Sequence, residues 1–92
     1  MTGDLPDDGV HRVPIDGELD LHAFTPRDVA SVVGEFVTAA ADAGLTEVRL
    51  VHGRGRGVQR GVVQQVLDRH PRVVSFRDDT AAHLGATIAR LA

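Results

Sequence analysis

Two histidines thirty residues apart, His22 and His52, carry the neighbours that proton transfer and phosphate chemistry need. His22 follows Asp20 across Leu21, and an acidic neighbour can hold an imidazole's orientation and favour its protonated form. His52 opens the run His52-Gly53-Arg54-Gly55-Arg56-Gly57. Glycines permit left-handed backbone and close approach, and a helix that follows them presents free N–H groups to an anion. Arg54 and Arg56 lie in this run and Arg60 just beyond it; the planar guanidinium fork suits bidentate phosphate binding. The run is not a dinucleotide fingerprint, because Val58 and Arg60 stand where that pattern needs glycine, and without lysine it is not a Walker loop. Each feature also has a plain reading: a histidine at a strand end is often structural, and a glycine-rich turn is often only a tight connection. Their joint placement favours a site. His11, His70 and His83 lack metal-ligand spacing and read as structural or surface residues.

The flanking pattern supplies elements that would bring these residues together. Residues 1–9, with Pro6 and three aspartates among few apolar groups, read as a disordered acidic tail preceding one folded domain over residues 10–92. Val13, Ile15, Leu19 and Leu21 alternate across Asp16-Gly17, which predicts extended chain with a strand over Glu18 to His22. Thr25 with Pro26 and Asp28 forms a helix start. Val29, Val32, Val33, Phe36, Val37 and Ala40 give the helix one apolar stripe, and Gly44 ends it. Val48 to His52 reads as a second strand, and Val58, Val62, Val63, Val66 and Leu67 as a second helix stopped by Pro71. Arg72 to Phe76 and Ala86 to Leu91 read as two further strands.

The order β-α-β-α-β-β predicts a two-layer α/β sandwich: a four-stranded mixed sheet with two helices on one face and right-handed first crossovers. In such a sheet the crevice lies beyond the carboxyl ends of the parallel strands. His22 and His52 end the first two strands, so they are expected at the same edge. Asp20 and His22 should point away from the core face of Leu19 and Leu21.

Composition narrows the chemistry further. A chain of 92 residues has room for one core. Zero cysteines exclude disulfides, thiolate metal sites and a cysteine nucleophile, and the absence of lysine excludes Schiff-base catalysis. The net charge of -3 conceals a segregation: between Glu47 and Asp68 there are four arginines (Arg49, Arg54, Arg56, Arg60) and no acid. With three phenylalanines and no tyrosine or tryptophan, stacking platforms for single strands are nearly missing, so phosphate recognition should outweigh base recognition. No apolar run is long enough to span a membrane and the start is not signal-like, so the expected location is cytoplasmic, with no membrane partner.

Three stretches in order, Glu18-Leu19-Asp20-Leu21-His22, Val51-His52-Gly53-Arg54-Gly55 and His83-Leu84-Gly85-Ala86-Thr87, resemble the Smr (small MutS-related) domain over about residues 18 to 91. Gly57-Val58-Gln59-Arg60 and Arg69 to Phe76 add to the likeness, especially to small stand-alone bacterial members. The resemblance implies the same two-layer sandwich, nucleic-acid binding and, as in several members, endonuclease activity. DNA nicking, suppression of recombination and RNA cleavage on stalled ribosomes in the family imply RNA or DNA as the partner, with ribosomes or repair proteins beyond it. The family's Asp-Leu-His motif falls on Asp20, Leu21 and His22, and its His-Gly-x-Gly motif on His52, Gly53, Arg54 and Gly55. Ala23 stands where many members have glycine, and His83 opens the late Gly-x-Gly-Ala-Thr motif. Lacking the larger domain that delivers some members to substrate, the chain is expected to rely on a partner or on weak affinity, as a monomer or weak homo-oligomer.

The expected chemistry is phosphodiester cleavage, either hydrolysis or RNA transesterification. His22 and His52 would move protons, and Gly53, Gly55, Gly57, Arg54, Arg56 and Arg60 would hold the phosphate. Metal-free RNA cleavage is favoured, and a divalent ion at Asp20 activating water would extend the reaction to DNA. The alternatives are a non-catalytic nucleic-acid or ribonucleoprotein adaptor and, more weakly, a domain recognising a phosphorylated metabolite.

Overall fold

A computed structural model describes residues 17–53, 58–82 and 85–92. The expected tail, the extended residues before Gly17, His11, Arg54, Gly55, Arg56, Gly57 and His83 lie outside the described residues. Four strands, β1 (Glu18–Asp20), β2 (Glu47–Val51), β3 (Val73–Asp78) and β4 (Ala86–Leu91), and two helices, α1 (Val29–Asp42) and α2 (Val58–Arg69), follow the expected chain order. The sheet order is β1-β2-β4-β3: β1 and β2 are parallel, and β4 runs antiparallel between β2 and β3. Both helices share one core with the sheet, so the mixed two-layer sandwich read from the sequence is the architecture observed.

Apolar periodicity accounts for the packing. Val29, Val33, Phe36, Val37 and Ala40 of α1 are fully buried against Leu19, Val48 and Leu50 of the sheet. The stripe of α2 is narrower: Val63 and Leu67 are buried, whereas Val58 is 68% exposed. Helix α1 ends in a Schellman arrangement, with Leu45 N–H donating to the Ala40 carbonyl and Gly44 N–H to that of Ala41. Gly44 has φ +89°, which explains glycine there.

Three local details depart from expectation. The first strand stops at Asp20, and Leu21–Ala23 form a 3-10 turn, because the Asp20 carboxylate accepts the His22 N–H and diverts the backbone. Thr25 heads a 3-10 turn over Pro26–Asp28 before α1 begins, its hydroxyl donating to the Asp28 carboxylate rather than accepting from a backbone N–H. The third strand runs on to Asp78, with a register shift between Val73 and Ser75.

Candidate active site at the carboxyl edge of the parallel strands

Parallel pairing sets Asp20 beside Val51, so the residues after each strand emerge at one edge. There the structure brings His22 against Gly53. Leu21 is fully buried, anchoring the turn, while the His22 and Asp20 side chains are 63% and 64% exposed. Asp20 Oδ1 lies 2.7 Å from His22 Nδ1 and 2.9 Å from the His22 N–H. A carboxylate only accepts, so Nδ1 carries the proton, and in the neutral ring Nε2 keeps its lone pair. The backbone N–H of His22, then its ring, hold the Asp20 carboxyl below the usual carboxylate range. An exposed ion pair stabilises a fold by about 0–1 kcal/mol at most, so the stronger consequence of this one is orientation.

Nε2 faces Gly53. A Cβ built on Gly53 would stand 2.9 Å from His22 Nε2, and the residue has φ +84°, so both space and backbone call for glycine. Gly53 is fixed on both sides: its N–H donates to the Gly85 carbonyl at 2.9 Å, and its own carbonyl lies 2.9 Å from His52 Nδ1. The Gly53 N–H, expected to face a phosphate, is thus already committed to the protein.

His52 differs most from its expected surroundings. It is 4% exposed, and both ring nitrogens are occupied: Nδ1–H donates to the Gly53 carbonyl, which leaves Nε2 to accept from the Thr87 hydroxyl at 2.9 Å. The second strand stops at Val51, one residue short of expectation, and His52 just beyond it points inward while His22 points out. The two imidazoles share an edge but not a common solvent-facing surface. Arg60 likewise differs from a free phosphate ligand, since it forms a two-pronged pair with Asp78 at 2.8 and 2.7 Å. Asp78 holds the Arg60 guanidinium high and is itself held low by it. Arg49 is paired with Asp79 and Glu18, both at 2.7 Å. Two of the four arginines in the acid-free stretch are therefore paired with acids distant in sequence, an outcome invisible to a count along the chain.

Beyond the expected residues, the site includes Thr87, Gln64, Asp78 and the Gly85 carbonyl. Gln64 Nε2 donates to both Thr87 Oγ1, at 3.1 Å, and Asp78 Oδ1, at 2.9 Å. Thr87 sits in the third stretch of family likeness, which was its only signal; Gln64 had none. His70 matches its structural reading: Nδ1 accepts the Arg72 N–H and Nε2 lies 3.0 Å from Thr38 Oγ1, clamping the end of α2 to α1. Among the described residues no group of three or more His, Asp or Glu side chains converges as a metal site. Asp20 offers one carboxylate whose Oδ1 is already turned to His22. No helix among them is long and apolar enough to cross a membrane.

Fold and edge together define a two-layer α/β sandwich with an exposed, carboxylate-oriented histidine packed on a left-handed glycine. The chain belongs to the Smr domain family, whose profile matches residues 19–92. It is 38% identical over 79 residues to the endonuclease MutS2 of Caldicellulosiruptor bescii and 38% identical over 76 residues to that of Brevibacillus brevis. These alignments cover 84% and 80% of this chain but 10% of each MutS2, so the chain spans about a tenth of those relatives' length. The crystal structure of the Smr domain of Thermus thermophilus MutS2 superposes with TM-score 0.76 at 32% identity, covering 82% of this chain and 96% of that one. YdaL, a stand-alone small MutS-related protein from Escherichia coli, shares the fold with TM-score 0.69 at 20% identity, over 95% of this chain and 80% of its own.

Proposed function

We propose that this Smr domain binds nucleic acid at the carboxyl edge of β1 and β2 and cleaves its phosphodiester backbone, with His22 as the proton-transfer residue. The carrying observation is the Asp20–His22 pair: Nδ1 is held by a carboxylate and Nε2 is left as an exposed base directed over Gly53. The same logic, an acid fixing one imidazole nitrogen so the other can take a proton, operates in hydrolytic triads. Similarity to proteins named endonucleases supports the reaction class.

On RNA, His22 Nε2 takes the proton of the 2′-hydroxyl as its oxygen forms a bond to phosphorus. The bond from phosphorus to the 5′-oxygen breaks, and that oxygen leaves with a proton from water. On DNA the nucleophile is water, which must be activated at the same nitrogen. Arg54 and Arg56, with backbone N–H groups of Gly55 and Gly57, remain the proposed holders of the phosphoryl oxygens. Arg60 would join them only by leaving Asp78, and His52 acts from within the fold rather than on substrate. A divalent ion would find at Asp20 a single carboxylate whose Oδ1 is already turned to His22, and no step above requires one.

Matched ribo- and deoxyribo-oligonucleotides, each with and without chelator, test the proposal. Cleavage of the ribo-oligonucleotide that survives chelation is expected. The second reading, a non-catalytic nucleic-acid or ribonucleoprotein adaptor, is favoured by the sealed second histidine. It predicts tight binding without turnover across single-stranded, duplex and structured substrates. Ribosomes, repair proteins, self-association and a cytoplasmic setting stay with the proposal as its wider expectations.

A further inference from the structure

We infer that Thr87 and Gln64 are positioning residues for His22, acting through the buried ring of His52 and the carbonyl of Gly53. This rests on the reading of Asp20–His22 as the reacting pair. The hydrogen bonds among these groups allow one direction only. Asp78 accepts both prongs of Arg60 and one hydrogen of the Gln64 amide. The second amide hydrogen goes to Thr87 Oγ1, which leaves the Thr87 hydroxyl hydrogen for His52 Nε2. With Nε2 accepting, the neutral ring must carry its proton on Nδ1, and that proton holds the Gly53 carbonyl. The chain of donors thus runs from α2 through β4 to the end of β2 and fixes one tautomer of a buried histidine.

What this secures is the floor under His22 Nε2. The Gly53 carbonyl is pinned by His52 and its N–H by Gly85, so the left-handed turn cannot rotate without breaking a hydrogen bond. The closeness of that turn to Nε2 makes its position the position of the base. Stability alone would be served about as well by apolar groups of the same shape, since a matched pair of buried polar groups can be replaced by apolar ones at little net cost. The cost of burying an imidazole and a hydroxyl, backed by a half-buried amide, is explained by the geometry they impose at the surface.

The test pairs imidazole nitrogen NMR with cleavage kinetics on Thr87→Val, Thr87→Ser and Gln64→Leu. In the wild type the His52 spectrum should show Nδ1 protonated and Nε2 bare. Thr87→Val removes the donor to Nε2 while Nδ1–H still holds the Gly53 carbonyl, so the tautomer persists, the His52 Nε2 resonance moves to that of an unbonded ring nitrogen, and the His22 resonances shift. On a cleaved RNA oligonucleotide, kcat should fall roughly tenfold with KM within about twofold, and Thr87→Ser should restore both spectrum and rate. Gln64→Leu, at a partly exposed helix position, should move the same signals in the same direction, and it decides the matter should Thr87→Val fail to fold. Unchanged His52 Nε2 and unchanged His22 resonances in a folded variant would overturn the inference. If the wild type cleaves no oligonucleotide, the reading of the dyad fails, yet the spectra still decide whether Thr87 and Gln64 set the state of His52 and the place of His22.

Discussion

Replacing Gly53 by alanine should injure both the fold and the site, for two separable reasons. At φ +84° an L-residue pays roughly 1–2 kcal/mol relative to glycine. For a domain of this size each kcal/mol moves Tm by about 4–8 °C, so a fall of roughly 4–16 °C is expected. The new Cβ would also lie 2.9 Å from His22 Nε2, where contacts of 3.4 Å and more are ordinary, so the ring must retreat by about 0.5 Å. It can do so because it is 63% exposed, but only by stretching its 2.7 Å bond to Asp20. The Cβ would then occupy the very space Nε2 faces, and cleavage should drop by at least about tenfold at saturating substrate, since misplacing a catalytic group by a fraction of an ångström to 1 Å costs up to ~10²-fold. Thermal unfolding by circular dichroism, the His22 ring resonances and single-turnover cleavage measure the three effects. A Gly53→Ala protein as stable as wild type, with His22 unmoved, would refute the reasoning.

Three further outcomes follow. Gly61→Ala in α2, where a Cβ meets nothing within 4 Å, should stabilise the domain by about 0.5–1 kcal/mol and leave cleavage unchanged, as read by Tm and initial rates. The Asp78 carboxyl is held low by hydrogen bonds from Arg60, so its contribution is complete above the unfolded value of about 3.9 and is lost as pH falls through the lower folded value. Asp78→Asn should therefore lower Tm at neutral pH and flatten its decline below about pH 4. Arg54→Ala with Arg56→Ala should make the logarithmic salt dependence of single-strand binding shallower by about 1.4, some 0.7 for each phosphate contact removed, as titrated by fluorescence anisotropy.

Much of the framework was legible because it depends on local periodicity. The stripe of α1 from Val29 to Ala40, the cap at Gly44 and the limits of β4 follow from spacing that a single buried face imposes. Strand order was not legible beyond a mixed sheet, since nothing local says that β4 inserts between β2 and β3. The site was half legible. Residue type and place at strand ends single out Asp20, His22 and Gly53, which the structure brings together at one edge. The inward turn of His52 was hidden because it depends on Thr87, thirty-five residues later, and the pairing of Arg60 with Asp78 spans eighteen. Charge segregation along the chain overstated the positive field for the same reason: Arg49 and Arg60 meet their acids only across the folded sheet and against α2.

In the proposed reaction His22 carries the proton in backbone cleavage. The most direct measurement of this role is the single-turnover rate of His22→Ala against wild type on a saturating RNA oligonucleotide, with binding followed in parallel. A loss of about 10²-fold or more in rate with affinity changed only a few-fold is expected, because a positioned proton-transfer group contributes roughly 10²–10⁴-fold. Undiminished cleavage by His22→Ala would contradict that role.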